Sequence, residues 1–113
     1  MPKAIMIVTS TFAPGREDEY NDWYDNVHLP EVVALPGFVA ATRYKVSDAQ
    51  MVPGTDALPY CAVYELDSDD LGATVAGLGA AAGAGKLHMS DAITQAAGSI
   101  MVVYEQRGSR QAG

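Results

Sequence analysis

Cysteine and basic residues are scarce in this sequence, and no long hydrophobic run is present. A single cysteine, Cys61, excludes an internal disulfide and a cysteine-based metal site within one chain. Seven lysines and arginines stand against fourteen acidic residues, giving a net charge of −7. This balance predicts that the chain binds neither nucleic acid nor an anionic membrane surface. Because no apolar run reaches transmembrane length and no leader pattern is found, we expect a cytoplasmic protein.

The common catalytic signatures are also missing. The sequence contains no G-x-S-x-G, no H-E-x-x-H and no phosphate-binding glycine loop. Its glycine-rich stretch, "GLGAAAGAG", follows a helix-start signal instead of a strand, which argues against a dinucleotide site. The two histidines lie far apart in sequence and make a weak case for a metal site. We therefore expect neither a metal nor another cofactor.

Strand-like and helix-like segments alternate along the chain. Its 49% hydrophobic and 19% charged content is typical of an ordered globular protein. Apolar and β-branched runs predict strands at residues 3–12, 38–46, 60–66 and 99–107. Acidic helix starts and glycine or proline stop signals predict one helix from Glu17 to about Pro36 and a second over residues 71–85. Residues 86–98 are expected to form a loop with a short helical turn.

This β-α-β-β-α-β order is the ferredoxin-like arrangement. We expect an α+β fold in which a four-stranded antiparallel sheet carries both helices on one face. Residues 1–107 are expected to form a single domain, and residues 108–113 a flexible tail.

The predicted strands are apolar at nearly every position, as in "AIMIV", "YCAVY" and "IMVVY". A sheet with one face in water would alternate polar and apolar residues. Since the two helices can cover only one face, we expect a second copy of the chain to cover the other. The sequence thus predicts a homodimer formed through the sheet faces.

The first predicted helix places Tyr20, Tyr24 and His28 at intervals of four, on the face that meets the sheet. Pro30 lacks a backbone N–H and disfavours helical geometry at Leu29, so we expect a helix break there. The break would direct the His28 ring into a cavity between helix and sheet. Two interpretations of His28 remain open: a general acid/base, or a packed histidine bonded to a freed backbone carbonyl.

Charged residues near His28 allow two interpretations each. Asp25, three residues before His28, and Glu31, three after it, either orient the imidazole or are simply solvated. Arg43 either anchors a carbonyl or anion in the pocket or forms an ion pair at the dimer edge with Glu65 or Glu105.

Alternation in the second strand predicts that the face opposite to that of Arg43 carries four residues, namely Phe38, Ala40, Thr42 and Tyr44.

Further aromatic residues complete the candidate site. Tyr64 and Tyr104, in the third and fourth strands, are either core residues or hydrogen-bond donors to a ligand. His88 is either a second proton-transfer group or a surface histidine. With His28 as the candidate catalytic residue, the candidate binding residues are Tyr20, Trp23, Tyr24, Arg43, Tyr64, Tyr104 and His88.

The stretch "EYNDWYDNVHLPEVVALPGFVAATRYKV", together with the element order, resembles the dimeric α/β-barrel superfamily and, within it, EthD-like proteins and their small bacterial relatives. The Trp-Tyr-Asp, His-Leu-Pro, Pro-Gly-Phe and Arg-Tyr elements carry the likeness. The resemblance implies two ferredoxin-like chains with facing sheets, each with a pocket between sheet and helices. It implies no single reaction, because the superfamily includes oxygenases, cyclases, isomerases and haem-degrading enzymes.

Two functions are compatible with these features. The first is a small cofactor-independent enzyme in which His28 moves a proton in an apolar aromatic or polyketide-like carbonyl compound, as an isomerase, cyclase, lyase or monooxygenase. The second is a non-catalytic homodimer that binds a hydrophobic metabolite or serves as an accessory protein of a pathway.

Overall fold

The computed structural model describes residues 3–94 and 98–113. Its strands are β1 (Lys3–Phe12), β2 (Phe38–Lys45), β3 (Tyr60–Asp67), β4 (Ile93–Thr94) and β5 (Met101–Glu105). The first helical segment, residues 17–33, consists of α1 (Glu17–Trp23), a π-helical turn (Tyr24–His28) and α2 (Leu29–Val33). The second helix is α3 (Leu71–Gly83). The predicted α+β class is confirmed.

The strands form one open antiparallel sheet in the order β2-β3-β1, with β4 and β5 both paired to the remaining edge of β1. The register places Met6 of β1 between Tyr64 of β3 and Val103 of β5. With β1 and β3 at the centre and both helical segments packed on one face, the arrangement is compatible with the predicted ferredoxin-like fold.

The prediction of four strands and of a helical turn within residues 86–98 needs correction. Ile93 and Thr94 form the short strand β4, which pairs with Phe12 and Thr11 of β1. The Ala13 N–H donates to the Ala92 carbonyl at 2.7 Å and continues this pairing. Residues 95–97 of the predicted loop lie outside the described residues. The end of β1 extends beyond β5, so its backbone N–H and C=O groups there need other partners, and β4 supplies them.

The predicted helix break at Leu29-Pro30 is wrong. The backbone remains helical through residues 23–29, and the irregularity is a π-helical turn one step earlier. In that turn the Leu29 N–H donates to the Tyr24 carbonyl five residues back. A proline inside an α-helix clashes with the carbonyl four residues before it. The wider π-helical turn relieves this clash, so the helix continues through Pro30.

Strand β2 contains a bulge between Phe38 and Ala40, where its register against β3 shifts. The bulge changes which residues share a face, so the predicted set of Phe38 with Ala40, Thr42 and Tyr44 is wrong. Phe38 is buried, Tyr44 is exposed, and Arg43 turns toward the first helical segment.

The core lies between the sheet and the two helical segments. It is built from inward-facing strand residues and the aromatic face of the first helical segment, including Ala4, Met6, Tyr20, Trp23, Tyr24, Val32, Phe38, Tyr64 and Leu66. Gly37 lets the chain turn from helix to sheet at a φ of 88°, with Thr74 of α3 packed directly against it. No helix among the described residues is long and apolar enough to cross a bilayer.

Candidate functional site

A cavity of about 490 Å³ separates the sheet from the helices. The sheet contributes both apolar and polar residues to its wall, namely Met6, Val8, Ile93, Met101 and Val103 together with Thr9, Ser10 and Tyr64. The first helical segment contributes Trp23, Tyr24, His28 and Val32. A volume of this size falls within the range of small-molecule sites.

The cavity exists because α3 carries small side chains toward the sheet. The residues of α3 that line it are Val75, Leu78, Gly79 and Ala82, two of which have little or no side chain. Only Thr74 and Ala81 of this helix are buried. The glycines that weaken α3 as a helix therefore also leave space above the sheet.

Hydrophobic side chains at this cavity are exposed in the single chain. Val75, Met89, Ile100 and Met101 all line the cavity, and each is among the exposed large hydrophobic residues. Exposed apolar groups gathered around one concave surface are typical of a binding site for an apolar molecule.

His28 lies in the helical wall of the cavity, on the π-helical turn. Its imidazole stacks on Trp23, with ring centroids 4.8 Å apart, and meets Tyr24 edge-on at 5.1 Å. The Nδ1 atom is buried and has no hydrogen-bond partner in the described chain. The packed-histidine interpretation required a bond from the ring to a backbone carbonyl, and Nδ1 makes none.

Burial determines the charge of His28. The pKa of the imidazole is lowered, because desolvation disfavours the cation more than the Glu31 carboxylate nearby favours it. The ring is therefore neutral at pH 7, and a neutral imidazole accepts a proton.

The segment that follows α3 is held on the helical wall through His88. Glu31 Oε1 accepts from the His88 N–H at 2.8 Å, and Glu31 Oε2 lies 2.5 Å from His88 Nδ1. The Trp23 Nε1–H donates to the His88 carbonyl at 2.6 Å. These three bonds position Leu87 and Met89 against the cavity. The His88 ring itself is 83% exposed and does not line the cavity.

Two tyrosines supply hydroxyl groups near the cavity, Tyr24 from the first helical segment and Tyr64 from β3. Tyr24 and Tyr64 are fully buried and both line the cavity. Burial raises the pKa of the Tyr24 phenol, although the neighbouring Tyr64 hydroxyl opposes the shift. Burial likewise raises the pKa of Tyr64. Both phenols are therefore neutral hydrogen-bond donors at pH 7.

Arg43 lies behind this wall and not in the cavity. Its guanidinium covers three tyrosine rings, at 5.2 Å from Tyr20, 4.4 Å from Tyr24 and 4.9 Å from Tyr60. It also donates to Asp25 Oδ1 at 2.8 Å, so Asp25 does not orient His28.

The predicted partners of Arg43, Glu65 or Glu105, are therefore not the ones it uses. The reason is that Arg43 projects toward the helix, and its Nη2 also donates to Asn21 Oδ1 at 2.9 Å. Cations above aromatic rings stabilise the packing that holds them.

The remaining candidate residues occupy other places. Tyr20 is buried behind the cavity wall, where its hydroxyl lies 2.5 Å from Ser10 Oγ. Tyr104 pairs with Ile5 in the register that faces away from the helices, and it is 56% exposed. The cavity thus brings together His28 with three of the predicted binding residues, Trp23, Tyr24 and Tyr64.

Sequence reasoning missed Ser99 and the lining residues of α3. Ser99 lines the cavity, and its Oγ is buried with no hydrogen-bond partner in the part of the chain that the structure describes. No motif marks it, because its place in the cavity wall depends on the pairing of the neighbouring Ile100 with Thr9 of β1. In α3, the spacing of Val75, Leu78, Gly79 and Ala82 along one helix face was the available signal.

Comparison with known proteins identifies the fold. No protein-family model matches the chain, and no curated protein matches its sequence. Among solved structures, HapK from Hahella chejuensis aligns over 100% of this chain and 99% of its own, with 19% identity and a TM-score of 0.50. An ethyl tert-butyl ether D (EthD) family protein from Bacillus halodurans C-125 aligns over 95% of this chain and 100% of its own, with 18% identity and a TM-score of 0.49.

The match to HapK, which extends over 100% of this chain, shows a likeness of fold alone. At such identities a shared fold does not specify a reaction, because unrelated chemistries occupy the same architecture. Function must therefore be argued from the site.

Proposed function

We propose that this protein is a small cofactor-independent enzyme in which His28 acts as general acid/base on an apolar aromatic or polyketide-like carbonyl compound. One observation carries the proposal: His28, whose buried Nδ1 has no hydrogen-bond partner among the described residues, belongs to the wall of a largely apolar cavity of about 490 Å³. Buried polar atoms are normally hydrogen-bonded, so an orphaned imidazole nitrogen in a cavity wall calls for a partner.

The proton-transfer step follows from the protonation states. A neutral His28 takes a proton from a carbon next to the substrate carbonyl or from a substrate hydroxyl, which leaves an imidazolium and an enolate or alkoxide. The same imidazolium can return the proton to another atom of the substrate. Isomerisation, cyclisation, elimination and oxygenation all can begin with this abstraction.

The oxygen that gains negative charge also needs a donor. The neutral phenols of Tyr24 and Tyr64 line the same cavity and are suited to this role. Donors that are fixed before the reaction stabilise developing charge at little reorganisation cost. Arg43, packed on the Tyr24 ring, holds the tyrosine in place from behind.

We also propose that the protein is a homodimer through the outer face of the sheet, as the sequence predicts. The middle of the outward face of the central strands is apolar and consists of Ile5, Ile7, Cys61 and Val63. Tyr104 and Tyr44 are exposed in the single chain. Both helical segments lie on the other face, so a second sheet is the simplest cover for this one.

The alternative function is binding without chemistry, in a carrier or accessory protein. It is favoured by the fact that His28 is the only lining residue, within the described chain, whose ordinary pKa lies near neutrality. A single proton-transfer group limits the reaction to one that this imidazole both starts and finishes.

Deuterium exchange into 2-tetralone tests the proposal against the alternative. The acidic C–H groups of this bicyclic ketone exchange in D₂O, and NMR measures the rate. The protein should accelerate exchange, and His28→Ala should reduce that acceleration by about 10²–10⁴-fold. His88→Gln, which keeps a side-chain N–H that can donate to Glu31, is the matched control and should retain the acceleration. Saturable binding of 2-tetralone without accelerated exchange would favour the carrier function.

A further inference from the structure

We propose that the cavity selects uncharged ligands, and that Ser99 is a second polar anchor, facing the ligand together with His28 and determining specificity. This inference defines the ligand class of the site proposed above. It can be tested by binding alone, so it stands or falls independently of whether His28 catalyses a reaction.

The charge of the lining is the first support. Among the described residues that line the cavity, none is Asp, Glu, Lys or Arg. The charged groups closest to this wall are already engaged elsewhere: Glu31 with His88, and Arg43 with Asp25. His28 is itself neutral at pH 7 because burial lowers its pKa. A carboxylate or phosphate ester entering this space would lose its hydration and meet no counter-charge.

The second support is a pair of buried polar atoms that have no hydrogen-bond partner among residues 3–94 and 98–113. His28 belongs to the helical wall and Ser99 to the chain that leads into β5, and their Nδ1 and Oγ atoms are both buried. Both residues line the same cavity. Leaving a buried donor or acceptor unsatisfied is costly, which is why such atoms are rare in folded proteins. A ligand with a neutral polar group would satisfy them.

Ser99 is also held in position by its neighbour. The Ile100 N–H donates to Thr9 Oγ1 at 2.9 Å, and the Thr9 N–H donates to the Ile100 carbonyl at 3.1 Å. This reciprocal pair fixes the backbone next to Ser99 on β1. An anchor that is positioned before binding loses little entropy when the ligand arrives.

The hydrogen-bonding chemistry of His28 and Ser99 further limits the class of ligand. A serine hydroxyl both donates and accepts, and a neutral imidazole nitrogen does one or the other according to its tautomer. A ketone, phenol or hydroxyketone on an apolar ring system satisfies both. A pure hydrocarbon leaves them unpaired, and an anion brings a charge that nothing opposes.

Three ligands of nearly equal shape separate these possibilities: the ketone 2-acetonaphthone, the anion 2-naphthoate and the hydrocarbon 2-ethylnaphthalene. Binding is followed by NMR of methyl-labelled methionines in the full-length protein at pH 7.5. Met6, Met89 and Met101 line the cavity, whereas Met51 is fully exposed in the loop after β2 and reports non-specific binding. The ketone should shift the three cavity signals and bind at least about tenfold more tightly than the carboxylate.

Substitution of Ser99 tests the anchor. Ser99→Ala should weaken 2-acetonaphthone by about 2- to 10-fold and leave 2-ethylnaphthalene unchanged, because only the ketone uses the hydroxyl. Ser99→Thr, which retains a hydroxyl, should restore ketone binding, and Ser109→Ala in the exposed tail is the matched control. Thermal unfolding establishes that each variant is folded.

Carboxylate binding as tight as ketone binding would overturn the selection of neutral ligands. Equal loss of ketone and hydrocarbon binding in Ser99→Ala, or no loss of either, would overturn the role of Ser99. Shifts at Met51 alone would show that the cavity takes none of the three, and would overturn the whole inference.

Discussion

The indole of Trp23 stacks on the imidazole of His28, with the ring planes 27° from parallel and the centroids 4.8 Å apart. The same indole donates its N–H to the carbonyl of His88. Trp23 thus connects the proposed catalytic residue to the segment that closes one side of the cavity. Because Trp23 is the only tryptophan in the chain, its fluorescence reports on both the proposed catalytic residue and this segment.

His28 should titrate below the ordinary histidine pKa of about 6.5. Because the folded pKa is lowered by burial, the unfolded chain takes up the proton first as the pH falls. The contribution that the neutral His28 makes to the free energy of unfolding is therefore complete above about pH 6.5. It is lost as the pH falls toward the pKa of His28 in the folded protein. NMR titration of the His28 ring, assigned with a His88→Gln variant, measures the value. A His28 pKa at or above 6.5 would contradict the burial of the ring.

Gly37→Ala should destabilise the protein more than Gly15→Ala. Both glycines have positive φ, 88° and 78°, so both substitutions carry the left-handed penalty of about 1–2 kcal/mol. At Gly37 the new Cβ would also lie 2.5 Å from Thr74 Oγ1, whereas Gly15 has open space around it. The collision should add about 1–3 kcal/mol. Denaturant unfolding of the two variants gives the difference, and equal losses would refute the close packing of α3 on Gly37.

Glu31→Gln should loosen the segment that carries Leu87 and Met89. The carboxylate accepts from both the His88 N–H and its ring, and these bonds lower the pKa of Glu31. Amide hydrogen exchange at His88 should accelerate in the variant. In the unmodified protein the protection is present at neutral pH and is lost in acid, as the pH falls through the lowered pKa of Glu31. Unchanged exchange at His88 in Glu31→Gln would show that the carboxylate does not hold this segment.

The homodimer should appear in light scattering as twice the chain mass of 11.9 kDa at micromolar concentration. Burial of two apolar sheet faces would remove roughly 2,000 Å² or more in total. Val63→Lys places a charge on the outward face of the central strand β3 and should produce monomers. Thr55→Lys, in the exposed loop, is the control. A monomer mass for the unmodified protein would contradict the dimer.

Most of the fold could be predicted because its determinants are local. Apolar runs and turn residues placed β1, β2, β3 and β5 within a few residues of their observed bounds, and Asp70 caps α3 by accepting from the Ala73 N–H. The Tyr20, Tyr24 and His28 spacing correctly indicated an inward face.

What could not be predicted depends on contacts between distant segments. The sequence indicated that Pro30 disturbs the helix, but whether the chain breaks or widens into a π-turn depends on how the helix packs. The β2 bulge redirects Arg43 to Asp25, and no local pattern encodes it. The cavity and Ser99 depend on how α3 and the chain before β5 pass over the sheet.

The pH dependence of 2-tetralone exchange, compared with the NMR titration of His28 in the same protein, tests the central claim most directly. If neutral His28 is the base, exchange catalysed by the unmodified protein should rise with pH through a single inflection. That inflection should coincide with the His28 pKa measured by NMR and should persist in His88→Gln. Exchange that shows no inflection at the His28 pKa, or that persists undiminished in His28→Ala, would contradict the account.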